Sequence, residues 1–280
     1  MTTESSPTVR GLLLARELKA RRVRAGLKPA EVWPRLGWSQ SKLSRIEGAR
    51  ILPSSTDVRQ ALELYGANTA DTEVLLKLTR DAGTRGWWQQ YNDVFTGSFV
   101  GLEQGASMIR CYQAQLVPGL LQTPRYTRAV QHACLINDEA VIQQRVQARM
   151  NRQEVLRREP SPLRLHVVLD EAVLQRPLGG EAVMREQLRH LLESAGQPNI
   201  SIRVLPFSAG GHAAVEGPFL IMSFAEREDL EIAYVEGFAG DVYLESADQI
   251  GRCNVTFERV YSAALSETES AAMIAALIKE

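Results

Sequence analysis

The stretch LGWSQSKLSRIEGAR, Leu36 to Arg50, decides how this chain is read. Gly37 ends one apolar-periodic segment, and Ser39 is placed to cap a new helix running from Gln40 to about Glu47. Leu43 and Ile46 are its only aliphatics and face inward. Gln40, Ser41, Lys42, Ser44 and Arg45 are left outside. A helix that is merely wet favours Glu, Lys and Ala, whose helix propensity exceeds that of Ser. Ser39, Ser41 and Ser44 therefore suggest close approach to a large partner. Gln pairs with adenine in two places, Arg with guanine in two places, and Ser with either, so the outer face is chemically equipped to read base edges.

The flanking sequence supplies the frame for such a helix. Residues 10–25 predict a helix with Leu14, Leu18 and Arg22 on one stripe and Ala15 and Ala25 near it. Gly26 stops it, and Arg21, Arg22 and Arg24 suit the negative end of the helix dipole. A short helix follows from about Pro29 to Leu36, with Pro29 tolerated in the first turn. A fourth helix after Pro53-Ser54-Ser55 turns Val58, Leu62 and Tyr65 inward, and a fifth at about 69–81 supplies Val74, Leu75 and Leu78. Helix, short helix, glycine turn, short helix is the helix-turn-helix plan, whose second helix enters the DNA major groove.

On these residues, and above all on GWSQSKLSRIEGARILPS, the segment 10–65 resembles the Xre-type (Cro/C1) helix-turn-helix family. The resemblance implies a five-helix DNA-binding domain. It implies base contacts from Gln40, Ser41, Ser44 and Arg45, phosphate contacts from Ser39, Lys42 and Arg50, and an ion pair between Arg22 and Glu47 that ties the first helix to the third. The chain departs from the family pattern in its second helix. Lys28 replaces a capping Thr, Pro29 stands where a Gln often touches phosphate, and Pro34 deletes a backbone donor. These changes weaken the expected second helix and its phosphate contact. Gly48-Ala49 also reverses the usual order after the reader helix.

Charge follows the same division. Residues 1–52 hold eleven Lys/Arg and four acids, a balance of +7, and the remaining residues hold 21 and 29, a balance of −8. A basic head on an acidic body predicts that the head alone meets a polyanion. Of the 280 residues, 45% are hydrophobic, enough for a sizeable core. No apolar run approaches the ~20 residues of a membrane span, and MTTESSPTVRG does not read as a secretory signal. Cys111, Cys134 and Cys253 form no metal-ligand cluster and read as buried reduced thiols. The expected location is cytoplasmic, at the nucleoid, with no membrane partner and no cofactor or metal.

Beyond residue 81 the pattern changes, and the expected class is α+β. The division is 1–9 disordered N-terminus, 10–82 all-α helix-turn-helix domain, 83–106 linker, and 107–280 α+β domain with an antiparallel sheet. Pro118-Gly119 marks a turn, a helix begins near Thr123-Pro124, and a long helix follows at about 138–158. RLHVVLDE and ISIRVLPF alternate as strands, with EAVMREQLRHLLESAG as the helix between them. PFLIMSFA, LEIAYVEG and DVYLES read as successive antiparallel strands. Helices at 246–265 and 267–279 close the chain, the last opened by a Ser266/Glu269 capping box. The stretches LVPGLLQTPRYTRAV, RVQARMNRQEVLRRE, VVLDEAVLQRPLGG and VLPFSAGGHAAVEGPF resemble the uncharacterised C-terminal domain attached to Xre-type helices in actinobacterial, antitoxin-like regulators. That resemblance implies a regulator whose body binds an effector or a partner.

The body carries few marks of catalytic chemistry. It has no GxSxG, HExxH or phosphate-loop motif, so no enzymatic activity is expected. Asp170-Glu171 reads either as a paired-carboxylate site or as a helix cap. His212 lies in a glycine-rich stretch that is either a ligand loop or a plain turn. Arg145, Arg149 and Arg152 share a helical face that is solvated, internally paired, or able to bind nucleic acid or an acidic partner. Trp87 and Trp88 pack internally or line a groove. Trp87, Trp88, Arg149, Arg152 and His212 are the candidate effector or partner site. The expected partners are an operator in double-stranded DNA and a second copy of the chain, since a two-fold operator requires a homodimer. The alternative is an antitoxin-like protein that sequesters a small protein encoded nearby and autoregulates its operon.

Overall fold

The computed structural model describes residues 9–83, 88, 99–225, 227–238 and 240–279, with the side chains of 227–229 and 279 left aside. Residues 1–8 and most of the 83–106 linker lie outside the described residues. The chain divides into two units, 1–105 and 106–280.

The first unit contains α1 (Val9–Arg24), α2 (Pro29–Arg35), α3 (Gln40–Glu47), α4 (Ser55–Leu64), α5 (Thr69–Ala82) and α6 (Phe99–Gly105). Val9, assigned by sequence to a disordered N-terminus, is buried and opens α1. Leu14, Leu18, Val32, Leu43, Ile46, Val58, Leu62 and Leu75 form one apolar core. Two inward assignments are corrected. Val74 is 67% exposed and Leu76 takes its place in the core, and Ala25 is exposed beyond the end of α1. Both errors come from extending a helical stripe to a turn where the neighbouring helices no longer cover it.

Four of these helices end in the same way. The amides of Leu27, Trp38, Arg50 and Ala67 reach back to the carbonyls of Arg22, Trp33, Arg45 and Leu62. The turn needs one residue with positive φ. Gly37 supplies it before α3, at φ +65°, and Ala49 supplies it after α3, at φ +52°. The reversed Gly48-Ala49 order therefore places a side chain in the left-handed region, where an L-residue costs about 1 kcal/mol. The second helix forms despite its departures. Lys28 gives no side-chain cap, but Glu31 accepts the Lys28 amide at 2.7 Å, and Pro34 faces solvent.

The second unit contains β1 (Met108–Gln113), α7 (Pro124–Ala133), α8 (Glu139–Gln153), β2 (Arg164–Asp170), α9 (Glu171–Gln175), α10 (Glu181–Ala195), β3 (Ile200–Leu205), β4 (Phe219–Phe224), β5 (Arg227–Val235), β6 (Val242–Leu244), α11 (Ala247–Ala263) and α12 (Glu267–Lys279). The six strands form one sheet in the order β3-β2-β1-β4-β5-β6. The expected antiparallel sheet is corrected to a mixed one. β1, β2 and β3 pair in parallel, with Arg110 opposite His166 and His166 opposite Ser201, whereas β4, β5 and β6 are antiparallel. The helical crossovers α7–α8 and α9–α10 return the chain to the same end of the sheet, which makes the strands they connect parallel. Burial on both faces explains why Val167, Val168 and Leu169 are all buried in succession.

Against one sheet face, Phe257 and Val260 of α11 pack on Tyr112, Val168, Leu205, Ile221 and Ala233. The outer edge of β3 is closed locally. Ser270 Oγ accepts the Val204 amide at 2.9 Å, and the Leu265 amide donates to the Val204 carbonyl. That satisfies an edge that would otherwise template further strands. No helix among the described residues is long and apolar enough to cross a membrane.

Candidate nucleic-acid interface

The third helix is built to present side chains outward. Ser39 Oγ accepts the Lys42 amide at 3.1 Å and caps it. Leu43 and Ile46 anchor it in the core. Opposite them, Gln40, Ser41 and Ser44 are exposed and Arg45 is half-buried. These four of the predicted readers share one face. Arg50, exposed just past the helix, has no side-chain partner among the described residues.

Both flanks of α3 are clamped. On one, Glu47 meets Arg22 of α1 through two parallel contacts, Nε to Oε1 at 2.6 Å and Nη2 to Oε2 at 2.9 Å. Arg22 Nη1 also donates to the Leu27 carbonyl at 2.7 Å. Their side chains are 7% and 11% exposed, so this is a buried, bidentate, charge-assisted pair. Burial, reinforced by the Glu47 charge, pushes the neighbouring Tyr65 hydroxyl up to about 12. On the other flank, Lys42 Nζ lies 2.6 Å from Asp57 Oδ1 of α4 and 4.8 Å from the centre of the Trp38 ring. Asp57 Oδ2 accepts the Ser54 amide and hydroxyl, at 3.2 and 2.8 Å. Burial opposes the Asp57 charge, but the hydrogen bonds from Lys42 and Ser54 outweigh it and hold the carboxyl below its usual range.

Lys42, expected on phosphate, is drawn sideways to Asp57 of α4. Asp57 and Trp38 were missed. The Ser54-x-x-Asp57 spacing announces a capping box, but nothing in sequence announces that its acid also holds Lys42.

Of the candidate effector residues, Arg149, Arg152 and His212 lie in the second unit, and each is engaged there. Trp87 lies outside the described residues, and the ring of Trp88 packs 3.4 Å from where a Cβ on Gly101 would stand. Arg149 and Arg152 serve the 117–123 turn of the second unit. Arg149 donates to Gln122 Oε1 at 2.7 Å, and Arg152 lies against Gly119. Gln187, fully buried, accepts the Thr123 amide and donates to the Leu121 carbonyl, each at 2.7 Å. His212 belongs to a separate chain of hydrogen bonds. The Ala214 amide donates to Nδ1 at 3.2 Å, which leaves Nε2 to carry the proton of the neutral ring. Nε2 lies 3.4 Å from the Tyr112 hydroxyl, and Tyr112 donates to Asp170 Oδ2 at 3.1 Å. Burial, with the Asp170 charge second, holds the Tyr112 hydroxyl far above its ordinary value. Asp170 and Glu171 are engaged by the amides of Ala172 and Phe207. Cys111 is buried, which pushes its thiol up to about 12. Sequence also gave no sign of a cavity of about 310 Å³ between α7, α8 and α10, lined by Thr123, Met150, Gln153, Glu186, Arg189 and His190. No group of His, Cys, Asp and Glu among the described residues could hold a metal ion.

A helical frame with a clamped third helix, followed by an α+β unit, defines a helix-turn-helix protein with an appended C-terminal domain. Residues 13–75 match a family described as a helix-turn-helix domain. Residues 96–276 match a family described as a domain of unknown function (DUF5753), and the chain belongs to that family. No curated protein and no solved structure matches the chain.

Proposed function

We propose that this protein is a sequence-specific DNA-binding transcriptional regulator of the Xre type, acting as a homodimer on a two-fold operator. The observation that carries this reading is the outer face of α3. Gln40, Ser41, Ser44 and Arg45 stand together on a helix whose flanks are fixed to α1 and α4. A side chain reads a base edge only when its helix is held in register by the frame around it. The +7 balance of residues 1–52 adds the sequence-independent attraction.

For residues 106–280 we infer a binding role, for an effector or a small protein partner, and no catalytic one. Asp170 and Glu171 are occupied by backbone amides. Phe207, Val215, Phe238 and Val242 are exposed on segments that the strand order brings to one end of the sheet, an arrangement suited to protein contact.

The test starts from a pool of randomised duplexes, from which the full chain is used to select binders. The selected duplex and a scrambled one are then titrated by fluorescence anisotropy at two salt concentrations. The expected result is preference for the selected duplex, weakened by salt, and relaxed in Arg45→Ala by about 1–3 kcal/mol. Failure of the selection to enrich any motif, with equal affinity for all duplexes, overturns the reading. Sedimentation of the complex checks the dimer.

A further inference from the structure

We infer that Asp57 sets the DNA affinity of this protein by withholding Lys42 from the phosphate backbone. The inference rests on the DNA-binding reading above.

The argument begins with where Lys42 stands. On α3 it lies at the border between the buried side, marked by Leu43 and Ile46, and the outer side, marked by Gln40, Ser41, Ser44 and Arg45. From a border position a lysine stem can swing outward to a phosphate or inward to a protein acid. Here it swings inward. Its ammonium meets Asp57 Oδ1 at 2.6 Å and faces the Trp38 ring at 4.8 Å. Asp57 cannot follow the lysine outward, because its other oxygen is fastened to Ser54 at the start of α4. The pair is only partly shielded, with side chains 37% and 17% exposed, so it stands at the rim of the reading surface and not in the core. Reaching a phosphate would require Lys42 to give up both an anchored carboxylate and an aromatic face.

The consequence is electrostatic. A lysine that neutralises a phosphate contributes affinity to every duplex alike and steepens the salt dependence by one released counterion. One that is already neutralised by an acid contributes neither. With Lys42 withheld, a larger share of the binding free energy comes from the base readers Gln40 and Arg45. Asp57 is a positioning residue in this scheme, since it acts through Lys42.

The experiment measures how log K varies with log salt for the full chain on the selected and scrambled duplexes, for wild type, Lys42→Met, Asp57→Asn and the double variant. Lys42→Met is expected to keep the wild-type slope. Asp57→Asn is expected to steepen it by about 0.9 and to raise affinity for both duplexes by roughly fivefold to tenfold near 0.1 M salt. The double variant is expected to return to the wild-type slope, which assigns the gain to Lys42. A slope shallower by about one in Lys42→Met alone would show that Lys42 reaches phosphate despite Asp57, and overturns the inference. So does an unchanged slope in Asp57→Asn, or a double variant that stays steep. Lys42→Met leaves the α4 cap untouched, so its slope decides even if Asp57→Asn weakens that helix. Wild type that binds neither duplex overturns the DNA-binding reading itself, a result distinct from any of these.

Discussion

The contact on which most depends is the one between Arg22 and Glu47. Both are charged, Arg22 is buried and Glu47 nearly so, and each satisfies the other in two places. Breaking such a pair from one side leaves an uncompensated charge, at a cost of about 3–5 kcal/mol. Glu47→Ala is therefore expected to lower the urea midpoint of the first unit sharply. The double variant Arg22→Met/Glu47→Leu, which removes both charges and keeps the volume, is expected to recover most of the loss. If it recovers stability but not DNA binding, the pair serves to orient α3. Asp57 has its own signature at this scale. Its folded-state pKa lies below the ordinary value, so its contribution is complete above the unfolded carboxylate range and is lost as pH falls through the depressed folded value. Acid titration of stability followed by circular dichroism is expected to show a shallower loss in Asp57→Asn than in wild type.

At the scale of elements, the turns between helices carry the precision. Gly37 sets the angle at which the chain leaves α2 and enters α3. Its φ of +65° suits glycine, and nothing lies within 4 Å of where a Cβ would stand. Gly37→Ala is thus expected to cost about 1 kcal/mol by backbone strain alone, and Gly37→Asn less, because Asn tolerates the left-handed region. A clash-driven effect would rank the two the other way, and urea melts of the two variants separate them. The elements themselves were largely legible. The bounds of α3, the Ser39 cap, the Thr123 and Ser266 caps and the long helix after Asp138 follow from caps and apolar spacing. The direction of β1, β2 and β3 was not legible, because alternation reports which face is buried and says nothing of which way the neighbouring strand runs.

At the scale of the whole molecule, charge and structure divide the labour. The basic balance sits in residues 1–52, while the arginines of α8 hold the 117–123 turn in the second unit. Arg149→Gln is accordingly expected to leave the salt slope of DNA binding unchanged. It should lower the thermal stability of the protein by an amount typical of one charged hydrogen bond, about 1.5–3 kcal/mol. A flattened salt slope with unchanged melting would instead place Arg149 on the nucleic acid. The Tyr112–Asp170–His212 chain was illegible for a related reason. Its members come from β1, from the end of β2 and from the turn before β4, and only strand pairing makes them neighbours.

By itself the sequence determined the first five helices of the first unit, the polar outer face of α3, the charge division and the α+β class. These are local matters of spacing, capping and composition, which a chain carries without reference to its distant parts. Only the tertiary structure decided the parallel half of the sheet, the inward turn of Lys42 to Asp57, the bond from Arg149 to Gln122 and the burial of Arg152 and Gln187. Each of these depends on which surface arrives opposite a side chain. A lysine, a glutamine or a strand edge is satisfied by whichever partner the fold brings within hydrogen-bonding distance, and that partner is fixed by packing over the whole unit.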